Sequence, residues 1–203
     1  MLSVQLQNTF TIFKGLFSLA INGCFHSVLS VYRIMYESFV ITKYLMLHPE
    51  LIPIYKEHAE FLGLRINKIS SNNTPEQQKR YNEFLNKYGK DFADNFGWTK
   101  SVITEPKDRK LMTLVNECQI EPFFGPMYKV ACNYVHASSF SSSFRTSPEF
   151  VKSFVQISLY IIEYEMIDFI QESNVATKEA IVIKNMIDFI FLDITKDFKT
   201  LIQ

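Results

Sequence analysis

A line of polar residues along the most apolar part of the chain constrains the fold more than any other feature. Between Phe10 and Leu47 the sequence consists mainly of Phe, Leu, Ile, Val, Met and Tyr. Polar residues interrupt it at spacings of four, four, three and four: Asn22, His26, Ser30, Arg33 and Glu37. At about 100° per residue these five fall within roughly 80° of a helix, and Tyr44 projects along the same line. The stretch predicts either one helix over about residues 4–47 or two helices broken near Asn22–Gly23.

The chemistry of this line indicates a site. Polar groups are costly to bury without partners, and charged groups are costlier still. The line therefore borders a polar cavity or forms a hydrogen-bonded seam. Arg33 and Glu37 lie four residues apart, so their side chains can meet on one helix face. Arg33 can present a planar pair of donors to a phosphate or carboxylate, with Glu37 orienting it. The alternative is an ion pair that only stabilises the helix.

Composition extends the helical prediction to the whole chain. Hydrophobic residues make up 47% of the 203 residues, which excludes a disordered chain, and only six are glycine. An all-β or doubly wound fold would need more turn residues. We therefore predict an all-α, single-domain bundle of about seven or eight helices over residues 1–203. Beyond the first apolar stretch, the predicted helices cover residues 49–69, 74–88, 107–119, 125–136, 147–172 and 176–202.

Two of these helices begin at strong local signals. Thr74-Pro75-Glu76-Gln77 combines a capping residue, a proline at the first helical position and a glutamine three residues after the cap. Ser147-Pro148-Glu149 starts the long helix that follows the serine-rich segment 137–146, which we predict to be a loop. Residues 89–106 are predicted to be irregular.

A second motif runs from Tyr128 to His136. His136 ends a predicted helix and opens the serine-rich loop, where a side chain can reach a cleft, and Asn133 precedes it by three residues on the same face. Histidine titrates near neutrality, so His136 is a candidate general acid/base or phosphate contact. The alternative is a histidine that interacts favourably with the helix dipole.

Charge and cysteine content argue against several classes of protein. The formal net charge is zero, so no general attraction to nucleic acid is expected. Three cysteines without C-x-x-C spacing argue against a disulfide framework or structural zinc, and we expect three buried thiols in a reducing cytoplasm. No metal site or cofactor is assigned. Gly15–Tyr32 carries no full charge, but its polar residues argue against stable membrane insertion.

The two motifs resemble a known family. The residues that carry the resemblance are Tyr32-Arg33-Ile34-Met35-Tyr36-Glu37, Lys43-Tyr44-Leu45, and Tyr128 through His136. They are similar to domain of unknown function 5677, a family of all-helical bacterial and phage proteins. The matching positions are Arg33, Glu37, Tyr44, Tyr128 and His136. The resemblance covers about residues 25–145, which leaves the N-terminal helix and a C-terminal helical pair at about 148–202 outside it.

More distantly, the chain resembles the HEPN superfamily of helical nucleotide-binding and ribonuclease domains. Active members carry an arginine, then four to six residues, then a histidine near the end of a helix, and often dimerise. Here Lys129 stands where that pattern has arginine, and lysine lacks the rigid fork of arginine. Arg33, from another helix, can take its place in space.

The HEPN likeness implies metal-independent RNA cleavage or nucleotide handling, as in a toxin or phage-defence effector. Under this hypothesis His136 is the acid/base, Arg33 contacts phosphate and Glu37 orients it. The substrate-binding residues would be Asn133, Tyr128, Lys129, His26 and Tyr44. The implied ligand is RNA or a nucleotide.

Two other functions stay open. The chain could be a non-catalytic helical binding module whose polar pocket holds a small anionic ligand or a partner protein. It could also be a structural protein in which the polar line is a satisfied buried network. The broad apolar faces of the last two helices predict a homodimer or a protein partner bound through them.

Overall fold

The computed structural model describes residues 2–70, 73–120, 124–135, 147–172 and 185. Within these ranges there are seven α-helices and no strand, which confirms the all-α prediction. The helices are α1 (Leu2–Ile21), α2 (Phe25–Leu47), α3 (Ile52–Ile69), α4 (Pro75–Tyr88), α5 (Leu111–Glu117), α6 (Phe124–Val135) and α7 (Pro148–Glu172). Four short 3-10 helices cover Pro49–Leu51, Lys90–Ala93, Gly97–Thr99 and Pro106–Asp108.

The first apolar stretch forms two helices rather than one. Gly23 has a φ of +71°, in the left-handed region that favours glycine. The Gly23 amide donates to the Ala20 carbonyl at 3.2 Å, and the Cys24 amide donates to the Leu19 carbonyl at 2.9 Å. This pair of bonds is the Schellman pattern that closes a helix. Asn22 therefore lies outside α2, and the line predicted from it is continuous only from His26 onward.

The chain divides into two compact units. The first unit comprises Met1–Thr42 and Glu121–Gln203, and the second comprises Lys43–Ile120. In the described part of the first unit, α1 packs against α7. The Tyr32 ring meets the Phe154 ring edge-on at 5.0 Å between centroids, and the Phe39 ring lies 5.8 Å from that of Phe124. These aromatic contacts bury the apolar face of α2 between α6 and α7.

The second unit packs α3 and α4 around an aromatic core. Its largest fully buried rings are Tyr44, Phe61, Phe84, Phe92 and Trp98. The helix start predicted at Thr74 is confirmed, because the Thr74 hydroxyl accepts from the Gln77 amide and the Gln77 side chain accepts from the Thr74 amide.

A buried arginine holds the irregular part of the second unit. The Arg109 side chain is 3% exposed and donates to Asp91 Oδ2 at 2.7 Å. Its remaining nitrogens donate to the carbonyls of Ile103 at 2.9 Å and Thr104 at 2.7 Å. All three donor groups of the guanidinium thus have acceptors, and residues 103–109 form a fixed loop.

Helix boundaries agree with the sequence at most positions. α4 and α7 begin and end within about one residue of the predicted limits. The helix predicted over 107–119 is shorter, because Pro106–Asp108 forms a 3-10 turn and α5 begins only at Leu111. The predicted loop 137–146 and nearly all of the predicted helix 176–202 lie outside the described residues. No described helix is long and apolar enough to cross a membrane.

Candidate functional site

Three side chains of the first unit form a hydrogen-bonded group between α2 and α6. The Arg33 Nε donates to Glu37 Oε1 at 2.8 Å, within α2. The Tyr128 hydroxyl, from α6, donates to the same oxygen at 2.8 Å. The predicted pairing of Arg33 with Glu37 is therefore present, and Tyr128 joins it from the helix that precedes His136.

The group is partly exposed. The side chain of Arg33 is 27% exposed and that of Glu37 is 34% exposed. The hydrogen bond that Arg33 donates to Glu37 raises the pKa of Arg33 above its ordinary value, so the guanidinium stays charged. Burial raises the pKa of Tyr128, helped by hydrogen bonds to Cys132 and Glu37, so Tyr128 stays a protonated donor. The charged pair is thus oriented and still reachable from solvent.

Cys132 lies beside this group, one turn after Tyr128 on α6. Its thiol contributes to the raised pKa values of Tyr128 and Arg33. Cys132 and Cys118 are partly buried, whereas Cys24 is exposed. The expectation of three buried thiols is therefore wrong, because Cys24 lies in the open turn between α1 and α2.

His26 contacts the far end of α6. Its ring centroid lies 5.4 Å from that of Tyr134, and the His26 side chain is exposed. Ser30, one turn further along α2, donates its hydroxyl to the His26 carbonyl at 3.5 Å. The polar line of α2 thus follows α6 from His26 to Glu37, although only Arg33 and Glu37 form the hydrogen-bonded group with Tyr128.

The other predicted site residues lie elsewhere or outside the described part. Lys129 and Asn133 are exposed on α6. Tyr44 belongs to the second unit, where it is fully buried with its ring 6.0 Å from that of Trp98. His136 lies outside the described residues, so its role stays a prediction, as do the substrate-binding roles.

Comparison with known proteins identifies the family of the chain. The model of a family of unknown function, DUF5677, matches residues 1–150. The chain belongs to this family. The match confirms the resemblance and extends it to α1, which was expected to lie outside. No curated protein and no solved structure matches the chain. The likeness to HEPN domains stays a prediction.

The Arg33 group of this DUF5677 protein offers donors of a kind that suit an anion. Across the ranges given above, no three His, Cys, Asp or Glu side chains lie close enough to hold a metal ion. The Arg33 group offers an oriented guanidinium, whose cation and planar donors suit a phosphate or carboxylate. Two donors already bond one oxygen of Glu37, which makes that carboxylate an orienting group.

A second cluster was missed by the sequence reasoning. In the second unit His48 Nδ1 lies 3.2 Å from Glu50 Oε1, and His48 Nε2 lies 3.6 Å from Glu117 Oε2. The His48-Pro49-Glu50 segment indicated only the end of one helix and the start of the next. Glu117 is far away in sequence, and no spacing rule links it to His48.

Proposed function

We propose that this DUF5677 protein binds phosphate groups of RNA or a nucleotide at Arg33. The observation that carries the proposal is the partly exposed guanidinium, held by Glu37, which is in turn held by Tyr128. A side chain that is ordered before its ligand arrives loses less conformational freedom on binding. Arg33 therefore offers a phosphate a pre-oriented, permanently charged contact.

The small net charge of the site determines how RNA affinity should depend on salt concentration. Glu37 offsets the charge of Arg33, and the net charge of the chain is zero. The affinity for RNA should therefore depend on few phosphate contacts. For single strands each such contact lowers log K by about 0.7 per unit of log salt concentration, so we expect a shallow salt dependence.

We further propose that the bound RNA is cleaved. His136 follows directly after α6, four residues beyond Cys132 and eight beyond Tyr128 in the sequence. As a general acid/base it would supply the proton transfer that Arg33 and Tyr128 cannot supply near neutral pH. Arg33 would stabilise charge that develops on the phosphate. Such metal-independent cleavage suits a toxin or phage-defence effector.

Binding without chemistry is the second candidate. It is favoured by the state of the described residues: Arg33 and Tyr128 both have raised pKa values, and Glu37 accepts two hydrogen bonds. These three side chains can hold an anion, and the raised pKa values of Arg33 and Tyr128 keep both of them protonated. Without a role for His136, the site would bind a small anionic ligand only.

Fluorescence anisotropy of an end-labelled single-stranded RNA tests the binding proposal. We expect Arg33→Ala to weaken binding about tenfold, as for the loss of one charged hydrogen-bonded contact. Arg80→Ala is the matched control, because Arg80 also pairs with a carboxylate, Glu60 at 3.0 Å, but in the second unit. Equal affinity in the wild type and Arg33→Ala, with both folded by circular dichroism, would refute the proposal.

A cleavage assay in EDTA separates the two candidates. If His136 is the acid/base, His136→Ala abolishes cleavage of the same RNA while anisotropy still reports binding. If the wild type binds the RNA without cleaving it, the result supports the non-catalytic binding module. If Arg33→Ala, Glu37→Ala and His136→Ala all melt early and neither activity exists, the group is a structural network.

A further inference from the structure

An exposed aromatic ring lies on the same face of α2 as Arg33. His26 precedes Arg33 by seven residues, which is about two turns, or roughly 10 Å along the helix axis. At about 100° per residue, this spacing brings the two side chains out of α2 in nearly the same direction. The His26 side chain is exposed. The phosphate contact proposed at Arg33 makes no use of this ring.

A buried tyrosine supports the His26 ring from behind. The ring centroid of His26 lies 5.4 Å from that of Tyr134 on α6, and the two ring planes are tilted by 47°. Tyr134 is 7% exposed, so it belongs to the core of the first unit. His26 therefore offers a ring that packs on the protein on one side and reaches solvent on the other.

The two helices around His26 carry too few charges to follow the backbone of a duplex. In the part of α2 that belongs to the first unit, Arg33 and Glu37 are the only residues with a full charge, and they form an ion pair. The sequence of α6 adds only Lys129. Double-stranded RNA is recognised mainly by its shape, through contacts to phosphates and 2′-hydroxyls across its grooves. Two cations and one carboxylate on α2 and α6 do not provide such a row of contacts.

The surface beside Arg33 is instead uncharged and suits a nucleobase. Ile34 is 56% exposed, and Ser27 and Ser30 lie between it and His26 in the sequence. Unpaired bases stack on aromatic side chains, histidine included, and they do so whatever the sequence because every base has a π-face. A base that is paired and stacked within a duplex cannot turn its face to such a ring.

We infer that His26 stacks on an unpaired base of the RNA whose phosphate Arg33 binds, so that the site selects single-stranded RNA. The inference rests on the proposed phosphate binding and adds to it the class of RNA. The strand follows one face of α2 from Arg33 to His26. Because Tyr134 already supports the His26 ring, stacking orders few further groups of the protein.

Fluorescence anisotropy with three labelled ligands tests this inference. They are a short unstructured RNA strand, the same strand paired with its complement, and an oligomer with the same backbone but no bases. The wild type should bind the single strand at least about fivefold more tightly than either of the other two, as for one stacked base. His26→Ala should bind all three ligands with the weaker affinity. His26→Phe should keep the preference, because phenylalanine retains an aromatic ring without the ring nitrogens.

His48→Ala is the matched control. The His48 ring also lies against a buried tyrosine, Tyr44 at 4.6 Å between centroids, but in the second unit. This variant should bind the single strand as the wild type does. Circular dichroism on each sample confirms that the variants compared are folded.

The stacking inference and the phosphate proposal fail in different ways. Suppose that Arg33→Ala weakens binding, but the wild type binds the three ligands equally or His26→Ala keeps the wild-type preference. The stacking inference is then wrong and the phosphate proposal stands. Loss of the preference in His26→Phe also overturns the inference, because the ring nitrogens rather than stacking would then make the contact. If the wild type binds none of the three ligands, both are wrong.

Discussion

At the scale of single residues, Tyr128 fixes the candidate site by holding the carboxylate that holds Arg33. Tyr128→Phe removes one hydroxyl and leaves the ring against Tyr36, at 4.9 Å between centroids. We expect a loss of about 0.5–1.5 kcal/mol in the free energy of unfolding, as for one hydrogen bond. RNA affinity should fall too, because Glu37 and Arg33 become less ordered.

Urea unfolding and RNA anisotropy on the same samples check this prediction. Tyr81→Phe is the control, since Tyr81 stacks on Phe61 at 5.1 Å in the second unit and should change stability by less than about 0.5 kcal/mol. If Tyr128→Phe binds RNA as tightly as the wild type, Tyr128 does not position Arg33.

His58 makes the stability of the second unit depend on pH. The ring is buried and lies against Phe92, and Nε2 donates to the Asp94 carbonyl at 3.0 Å. Burial lowers the pKa of His58 below its ordinary value of about 6.5. The unfolded chain therefore binds the proton more readily, so this contribution to stability is complete above about pH 6.5 and declines as the pH falls toward the folded-state pKa.

Thermal melts between pH 7.5 and pH 5 measure this effect. The wild type should lose more stability on acidification than His58→Gln, whose amide can still donate to the Asp94 carbonyl. Parallel pH profiles for the two proteins would show that the histidine does not titrate in the expected direction.

At the scale of elements, Gly97 permits the close approach of two 3-10 helices. A Cβ at position 97 would lie 2.5 Å from the Asp91 carbonyl oxygen and 2.7 Å from the Phe92 Cα. These are backbone atoms, which cannot move aside as a flexible side chain would. Gly97→Ala should therefore destabilise the chain by more than about 2 kcal/mol.

Gly63→Ala is the matched control, because a Cβ there meets nothing within 4 Å inside α3. It should raise stability by about 0.5–1 kcal/mol through helix propensity. Chemical denaturation of both variants provides the comparison. Equal free energies of unfolding in Gly97→Ala and Gly63→Ala would mean that the two 3-10 helices can move apart without loss of stability.

Local chemistry made most elements predictable, and long-range contacts set the limit. The cap at Thr74 and the proline at Pro148 act within one turn, so their helices begin as the sequence indicates. The start of α5 depends on the turn at Pro106–Asp108 and on the buried Arg109 beside it. The ion pair of Arg109 with Asp91 joins residues far apart in sequence, and hydrophobic periodicity carries no information about such a contact.

The candidate site shows the same division. Arg33 and Glu37 meet by helical spacing alone, and their pairing was predictable. The partial exposure of the two side chains could not be predicted from the sequence. It lowers the free energy that breaking the pair should cost. Breaking a buried charged pair typically costs about 3–5 kcal/mol, whereas exposed pairs contribute less than about 1 kcal/mol. At 27% and 34% exposure this pair lies between those limits.

At the scale of the whole molecule, we propose that the protein forms a homodimer. On α7, Tyr160 and Ile167 are 42% and 39% exposed, so part of its apolar face reaches the surface of a single chain. Sedimentation equilibrium at tens of micromolar should give twice the 23.7 kDa mass of one chain. A species of 23.7 kDa across that range would contradict the proposal.

The proposed binding of phosphate at Arg33 depends on the planar donor fork of its guanidinium. Arg33→Lys tests it most directly, because lysine keeps the charge but lacks the fork. We expect the affinity for single-stranded RNA, measured by anisotropy, to fall in Arg33→Lys by less than the loss in Arg33→Ala and to stay unchanged in Arg80→Lys, with both lysine variants melting close to the wild type. RNA affinity in Arg33→Lys equal to that of the wild type would show that Arg33 does not bind phosphate through its donor fork.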